Sequence, residues 1–268
     1  MNILILGDVV GNSGRKAINK NLQEIIKKFK IDFTIVNGEN AADDGKGITE
    51  KISINLFDLG VDVITSGNHI WDKKETSIYI DKEKKLLRPS NFVKGTPGNG
   101  FGTFKIKNTN YKIGVINLIG NVFMRKSDDA FKVANDLKNK IKLKKDVDFL
   151  IIDFHGEITS EKMAIGHFFD GKATLVIGTH THVPTSDIMI LKKGTAYQTD
   201  AGMCGDYDSV IGMNKDNSLN RFLKKDSVKH FPAKGEATLS GVIVDCDIKT
   251  GLANSVQSYI FGGQLNNN

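Results

Sequence analysis

The chain has 268 residues, of which 40% are hydrophobic and 25% are charged. This balance is typical of a folded globular protein and excludes a disordered or fibrous one. The two cysteines, Cys204 and Cys246, are too few for a secreted disulfide framework, and the N-terminal residues carry no basic segment or cleavage signal. We therefore expect a cytoplasmic location. Because no apolar run approaches the ~20 residues that cross a bilayer, we expect no membrane-spanning segment and no membrane partner.

The formal net charge is +6, and it comes from lysines that alternate with acidic residues along the chain. Such runs are typical of solvated surfaces, although the positive charge would also attract an anionic substrate. Only four arginines are present, and arginine is the residue best suited to bidentate recognition of phosphate or guanine. The charge is therefore weak evidence for a nucleic-acid partner.

Much of the chain alternates short buried strands with amphipathic helices. Apolar runs rich in Ile, Val and Leu predict strands at Ile3–Leu6, Phe33–Val36, Val61–Thr65, Phe149–Phe154 and Ala173–Ile177. Apolar residues at helical spacing predict helices at Arg15–Phe29, Lys132–Leu143 and Ser160–Phe169. We found no repeat, low-complexity tract or linker, so we predict an α/β protein with a single domain over residues 1–268.

Two predicted hairpins interrupt this alternation. Gly102–Lys107 and Tyr111–Leu118 flank one short turn, and Leu239–Asp247 and Ser255–Phe261 flank another. Antiparallel strands therefore join the parallel ones. Two mixed sheets packed face to face with helices outside would accommodate all the elements, and one large mixed sheet would do so as well.

Polar side chains follow five of the predicted strands at the point where each strand ends. They are Asp8, Glu39 and Asn40, Asn68 and His69, His155, and the pair His180 and His182. In α/β sheets, ligands bind outside the carboxyl ends of the strands. We therefore expect these side chains to meet at one site.

The residue types at these strand ends indicate a metal centre. Carboxylate, amide and imidazole donors without a thiolate suit iron, manganese or zinc, in that order of preference, and suit a calcium or magnesium cage poorly. In an extended segment His180 and His182 would project to the same face and reach one cluster. The donors exceed what one tetrahedral zinc ion uses, so we predict two ions that share a carboxylate and leave positions open for water and substrate.

Each of these residues, taken alone, has an ordinary structural explanation. Asp8 could cap a helix, and His155 could be a core histidine with satisfied hydrogen bonds. Glu39, Asn40 and Asn68 could serve turns. A joint pattern at five strand ends would require an independent explanation for each, and this favours the metal site.

The motifs Gly-Asp, Gly-Glu-Asn, Gly-Asn-His, His-Gly-Glu and Gly-Thr-His-Thr-His resemble those of the calcineurin-like metallophosphoesterases, and most closely those of their bacterial YmdB-like branch. The similarity runs along nearly the whole chain. It implies a four-layer αββα sandwich with a dinuclear transition-metal site. It also implies hydrolysis of a small phosphodiester, a cyclic nucleotide of the 2′,3′-cAMP or 3′,5′-cAMP class.

By position, the resemblance assigns Asp8, Asn40 and His182 to one metal, Asn68, His155 and His180 to the other, and Glu39 to a bridge between them. The chain departs from the wider superfamily in one respect, since its first motif lacks the histidine of Gly-Asp-x-His. Asn40 is the natural replacement. An amide in place of an imidazole should weaken that metal site and change its metal preference.

A mechanism follows from these charges: a metal-activated water attacks phosphorus, and a general acid protonates the leaving oxygen. His69 suits the acid role, because neighbouring side chains in an extended loop point to opposite sides and Asn68 takes the metal side. A supporting hydrogen bond to the site is the alternative role for His69. A metal-dependent phosphomonoesterase and an RNA-associated regulatory protein remain alternative functions. Antiparallel edge strands also favour a homo-oligomer.

Overall fold

The computed structural model describes residues 1–225 and 229–265. Within them the chain alternates strands with helices in its first half and becomes richer in strands later. The strands are β1 Asn2–Val9, β2 Ile31–Asn37, β3 Val63–Thr65, β4 Phe101–Lys105, β5 Lys112–Ile119, β6 Phe149–His155, β7 Leu175–Thr179, β8 Met189–Ile190, β9 Ala196–Gln198, β10 Met203–Asp206, β11 Ala237–Cys246 and β12 Ala253–Phe261. The helices are α1 Gly11–Phe29, α2 Glu50–Asp58, α3 Thr76–Tyr79, α4 Ala130–Lys140, α5 Thr159–Phe169 and α6 Lys215–Phe222.

Two six-stranded mixed sheets form the centre of the molecule. The first has the order β12-β11-β10-β1-β2-β3, and the second has the order β4-β5-β6-β7-β9-β8. Strands β1, β2 and β3 are parallel in the first sheet, as are β5, β6, β7 and β9 in the second. The two predicted hairpins are present as the antiparallel pairs β4–β5 and β11–β12.

The sheets pack face to face through a shared apolar core. This core joins Ile5 and Ile35 of the first sheet to Val115 and Ile151 of the second. Alternate residues of a strand point to opposite faces of its sheet. Since these strands are apolar at consecutive positions, the outer face of each sheet is also apolar and must be covered. Helices α1 and α2 cover the first sheet, and α4 and α5 cover the second. The structure thereby confirms the αββα sandwich and excludes the single large sheet.

The elements that the sequence did not reveal are short or polar. Helix α2 is nine residues long and is capped by the preceding Thr49, whose hydroxyl accepts a hydrogen bond from the backbone N–H of Ile52 (3.2 Å). Strands β8, β9 and β10 contain two to four residues each. Hydrophobic periodicity cannot reveal segments this short, because they hold too few residues to show a period. None of the helices in the described part of the chain is long and apolar enough to cross a membrane.

Candidate metal centre

The carboxyl ends of strands from both sheets meet at one edge of the sandwich. Strand β1 carries Asp8, and the loops after β2 and β3 carry Glu39, Asn40, Asn68 and His69. From the second sheet, β6 ends at His155, and His180 and His182 follow β7. The five strand ends therefore converge as predicted, although three belong to one sheet and two to the other.

One group of donors surrounds the Nε2 atom of His155. This atom lies 2.9 Å from Glu39 Oε1, 3.2 Å from Asn68 Oδ1 and 3.0 Å from His180 Nδ1. A single ring nitrogen has at most one proton and cannot satisfy three neighbours at once. Glu39, His155 and His180 together offer ligand atoms within 4.8 Å of one another. This convergence fits a cation in the space between them.

A second group lies beside the first. The Nε2 atom of His182 is 3.3 Å from Asn40 Oδ1 and 4.0 Å from Asp8 Oδ1. That Asp8 oxygen is buried and has no hydrogen-bond partner, whereas Asp8 Oδ2 accepts the backbone N–H of His180 (3.0 Å). Leaving a buried carboxylate oxygen without a partner is costly, and a bound cation would supply the missing interaction.

In each of the three histidines, the ring nitrogen remote from the cluster has its own partner. Nδ1 of His155 contacts the Thr179 hydroxyl (2.9 Å), and Nε2 of His180 contacts Glu157 Oε2 (3.0 Å). Nδ1 of His182 donates to the backbone carbonyl of Ile211 (2.8 Å). Metal-binding histidines are typically oriented in this way, because a partner for one nitrogen directs the other toward the ion.

Gly67 leaves room for an ion at this position. A Cβ atom on Gly67 would lie 2.2 Å from His155 Nε2 and 2.3 Å from Glu39 Oε2, far inside van der Waals contact. Only a residue without a side chain allows the β3 loop to pass this close to both donors. Together with the unpartnered Asp8 oxygen, this space shows that the residues fit a metal centre.

Burial and close charges perturb the pKa values within the cluster. Burial raises the pKa of Asp8 to about 6, against the opposing attraction of His182 and His155. Burial opposes ionisation of His155 and Glu39 as well, but their mutual attraction prevails, raising the pKa of His155 to about 9 and lowering that of Glu39 to about 2. Burial and the adjacent His155 charge lower the pKa of His180 to about 3. An imidazolium at His155 thus balances the negative charge of Glu39.

The chain is similar to known proteins along almost its whole length. The model of the family described as "YmdB-like protein" matches residues 4–259. The chain belongs to the YmdB-like family. It is 47% identical, over 96% of both chains, to a Bacillus subtilis (strain 168) protein named 2′,3′-cyclic-nucleotide 2′-phosphodiesterase.

Solved structures agree with this membership and with the calcineurin-like metallophosphoesterase fold. A Mycoplasma pneumoniae protein described as a novel phosphatase is 37% identical, with a TM-score of 0.90 over 97% of this chain and 93% of its own. A hypothetical protein from Thermus thermophilus is 36% identical, with a TM-score of 0.89 over 97% of this chain and 99% of its own.

Two details of the YmdB-like site differ from the sequence predictions. His180 and His182 do not lie in an extended segment: their φ angles are 101° and 66°, in the left-handed region that residues other than glycine seldom adopt. Both rings nevertheless enter the cluster, because this tight backbone turns each one inward. The loop that carries Asn68 and His69 is likewise a turn and not an extended strand, so the alternation argument for His69 was wrong.

Asp8 and Asn40 have roles that differ from ordinary capping and turn chemistry alone. Asp8 does not cap α1, because Val10 occupies the cap position and no side chain caps that helix. The amide nitrogen of Asn40 donates to the carbonyl of Gly45 (2.8 Å), which leaves Oδ1 facing His182. Asn40 therefore stabilises its turn and offers a donor to the cluster at the same time.

His69 lies at the margin of the cluster with its ring held by a carboxylate. Its backbone N–H donates to Glu39 Oε2 (3.0 Å), and its Nδ1 contacts Asp72 Oδ2 (2.7 Å). The other oxygen of Asp72 binds the Arg125 guanidinium (3.1 Å). The ring is thus oriented through Nδ1, and Nε2 remains for another partner.

Sequence reasoning missed the buried network beneath His155. Asp153 accepts hydrogen bonds from the hydroxyls of Thr65 and Thr179 and from the amide of Asn37 (3.1 Å). Since the Thr179 hydroxyl donates to Asp153 (2.8 Å), its oxygen is left to accept Nδ1–H of His155. Asp153 precedes His155 by two positions in β6 and so shares its face, which is the signal that could have identified it.

A second missed feature is a buried ion pair under the His180–His182 loop. Lys162 on α5 is 1% exposed, and its Nζ atom lies 2.7 Å from Asp200 Oδ2. The same Asp200 oxygen accepts the backbone N–H (3.2 Å) and the hydroxyl (2.7 Å) of Thr181. The segment after Gln198 thus anchors the loop between the two histidines. Cys204 lies in the same segment but is buried, and burial raises the pKa of its thiol to about 12, so the thiol is not activated as a nucleophile.

Proposed function

We propose that this protein is a dinuclear metal-dependent phosphodiesterase that hydrolyses cyclic nucleotides of the 2′,3′ class, with 3′,5′-cyclic nucleotides as the second class to test. The observation that carries the proposal is the orientation of the three histidines. One ring nitrogen of each is held by a partner outside the cluster. The other ring nitrogen lies near Glu39 or Asp8. The named activity of the Bacillus subtilis relative supports the choice of substrate.

The two donor groups support a proposal of two metal positions. Asp8, Asn40 and His182 would hold one ion, Asn68, His155 and His180 would hold the other, and Glu39 would lie between them. Imidazole, amide and carboxylate donors favour iron or manganese, with zinc as a third candidate. When bound, such ions supply positive charge for the phosphoryl oxygens and an activated water as nucleophile.

The protein's own residues orient the substrate and move the protons. Glu157, Thr179 and the Ile211 carbonyl keep the three imidazoles in position, so that the site needs little rearrangement during the reaction. His69 donates a proton to the leaving oxygen from Nε2, while Asp72 holds its Nδ1.

The decisive experiment is hydrolysis of 2′,3′-cyclic AMP by protein stripped with chelator and then reconstituted with manganese or iron. We expect metal-restored turnover, which His155→Ala abolishes together with metal binding. We expect His69→Gln to retain both metals and to lose about 10²–10⁴-fold in turnover. Loss of metal from His69→Gln would instead show a structural role for His69.

A phosphomonoesterase is the second candidate, because the Mycoplasma pneumoniae neighbour is described as a phosphatase. Adenosine 3′-monophosphate and 3′,5′-cyclic AMP serve as parallel substrates. Turnover of the monoester without turnover of either cyclic diester would replace the phosphodiesterase proposal. Metal binding without turnover of any of the three would reject both.

Three further parts of the proposal concern the whole molecule. The apolar core shared by both sheets supports one domain over residues 1–268. The two cysteines are free and buried, which is compatible with a reducing cytoplasm. The exposed edge strands β4 and β12 support a homo-oligomer, and light scattering of the purified protein tests this.

A further inference from the structure

Phe123 is an apolar side chain displayed to solvent on a strained backbone. It is 86% exposed, the largest value among the large apolar side chains in the described ranges. Its φ angle is 60°, in the left-handed region, which is strained for a bulky residue. Neither burial nor local backbone preference explains this conformation.

The backbone around Phe123 is held by several hydrogen bonds. The carboxylate of Glu161 on α5 accepts the backbone N–H groups of Asn121 (3.0 Å) and Val122 (3.3 Å). The side chain of Asn121 in turn accepts the backbone N–H of Ala130 at the start of α4 (2.9 Å). These bonds tie the segment to two helices and determine where the Phe123 ring is presented.

On its N-terminal side the segment is attached to the metal cluster. The backbone N–H of Gly120 donates to the carbonyl of His155 (2.9 Å), and Ile119 is paired with His155 in the sheet. Because a chain extends at most about 3.6 Å per residue, the Cα atom of Phe123 lies within roughly 11 Å of that of Gly120.

On its C-terminal side the segment reaches the general-acid candidate. Arg125, two residues beyond Phe123, binds Asp72 Oδ1 (3.1 Å), and Asp72 Oδ2 holds Nδ1 of His69 (2.7 Å). Phe123 therefore lies between Gly120, which contacts His155, and Arg125, which contacts the Asp72 carboxylate that holds His69, and this places it at the rim of the cluster.

We propose that Phe123 is a specificity-determining residue whose ring stacks on the nucleobase of the substrate. The inference rests on the proposed function, because the cyclic phosphate must sit at the metal cluster for the base to reach the rim. Any nucleobase has a π-face, so a single exposed aromatic ring binds bases with little sequence preference. The strained, multiply anchored backbone presents the ring to solvent before the substrate arrives, and this lowers the entropy cost of stacking.

Ligand binding to the manganese-reconstituted protein tests this independently of turnover. Equilibrium dialysis compares adenosine 3′-monophosphate, which has a base, with inorganic phosphate, which has none. We expect Phe123→Ala to weaken the binding of adenosine 3′-monophosphate about 5- to 150-fold, the loss that removal of one base–aromatic stack produces, and to leave the binding of phosphate unchanged. Phe123→Trp should retain nucleotide affinity. Phe222→Ala, at a 78% exposed phenylalanine on α6, is the matched control and should change neither affinity.

Steady-state kinetics provides the second measurement. With 2′,3′-cyclic AMP, Phe123→Ala should raise KM by a similar factor with kcat nearly unchanged. With methyl riboside 2′,3′-cyclic phosphate, which lacks a base, it should change neither constant.

The outcomes separate this inference from the proposed function. Unchanged nucleotide affinity in Phe123→Ala overturns the stacking role. Equal weakening of nucleotide and phosphate overturns it too, because the segment would then support the metal site and not the base. If the wild-type protein cleaves no diester but its nucleotide affinity still depends on Phe123, the proposed function fails and the stacking role stands.

Discussion

The buried pair Lys162 and Asp200 offers a sharp test of how the site is supported. Both side chains are almost fully buried, and they are joined at 2.7 Å. Lys162→Met keeps most of the apolar stem and removes the charge. Asp200 would then remain buried with bonds only from Thr181 and the backbone N–H of Gly202 (2.8 Å).

The expected magnitude follows from this burial. Removing one partner of a buried ion pair costs about 3–5 kcal/mol, because the other charge is left uncompensated. For a chain of this size each kcal/mol lowers the unfolding midpoint by about 2–4 °C, so Lys162→Met should lower it by roughly 6–20 °C.

Thermal unfolding followed by circular dichroism at neutral pH measures this effect. The double variant Lys162→Met/Asp200→Asn should recover a substantial part of the loss, because it removes the orphaned charge as well. Lys215→Met, which breaks the exposed Lys215–Asp208 pair, is the control and should leave the midpoint unchanged. A drop of less than about 3 °C in Lys162→Met, or no recovery in the double variant, would refute the reasoning.

Three further predictions concern the metal cluster. Thr179→Val removes the partner of His155 Nδ1 and should weaken manganese binding about 10- to 100-fold, measured by isothermal titration calorimetry. An unchanged affinity would show that Thr179 does not orient the ring. Gly67→Ala should abolish metal uptake, because its Cβ atom would overlap His155 and Glu39. Elemental analysis measures the metal content, and circular dichroism should show that the fold is retained. Full metal content would contradict the proposed position of the ion. Since the pKa of His155 is raised to about 9, metal must displace a proton from it, so manganese affinity should rise about tenfold per pH unit between pH 7 and 9 and then level off. A flat profile would mean that His155 is already neutral.

Much of the fold and of the donor set follows from the sequence alone. The predicted strand Phe149–Phe154 and helix Ser160–Phe169 agree with β6 and α5 within a residue. Buried strands and amphipathic helices are local patterns, since burial on two faces or on one imposes a distinct apolar spacing. Polar donors at strand ends are equally local, so residues such as Asp8 and His155 could be identified without coordinates.

The tertiary structure decided how the donors are held and which atoms face one another. The left-handed backbone of His180 and His182 has no sequence signal, because neither residue is a glycine. That conformation is maintained by Asp200, which is eighteen or more positions away in the chain and neutralised by a lysine on another element.

The hydrogen-bond partners of His155 and His180 also depend on contacts between distant parts of the chain. Thr179 and Glu157 become partners of imidazoles only when β6 and β7 pair in the second sheet. The sequence by itself determined which chemical groups the protein brings to the edge of the sandwich. Their distances, orientations and perturbed pKa values depend on contacts between residues far apart in the chain, and these contacts form only when the strands pair and the two sheets pack together.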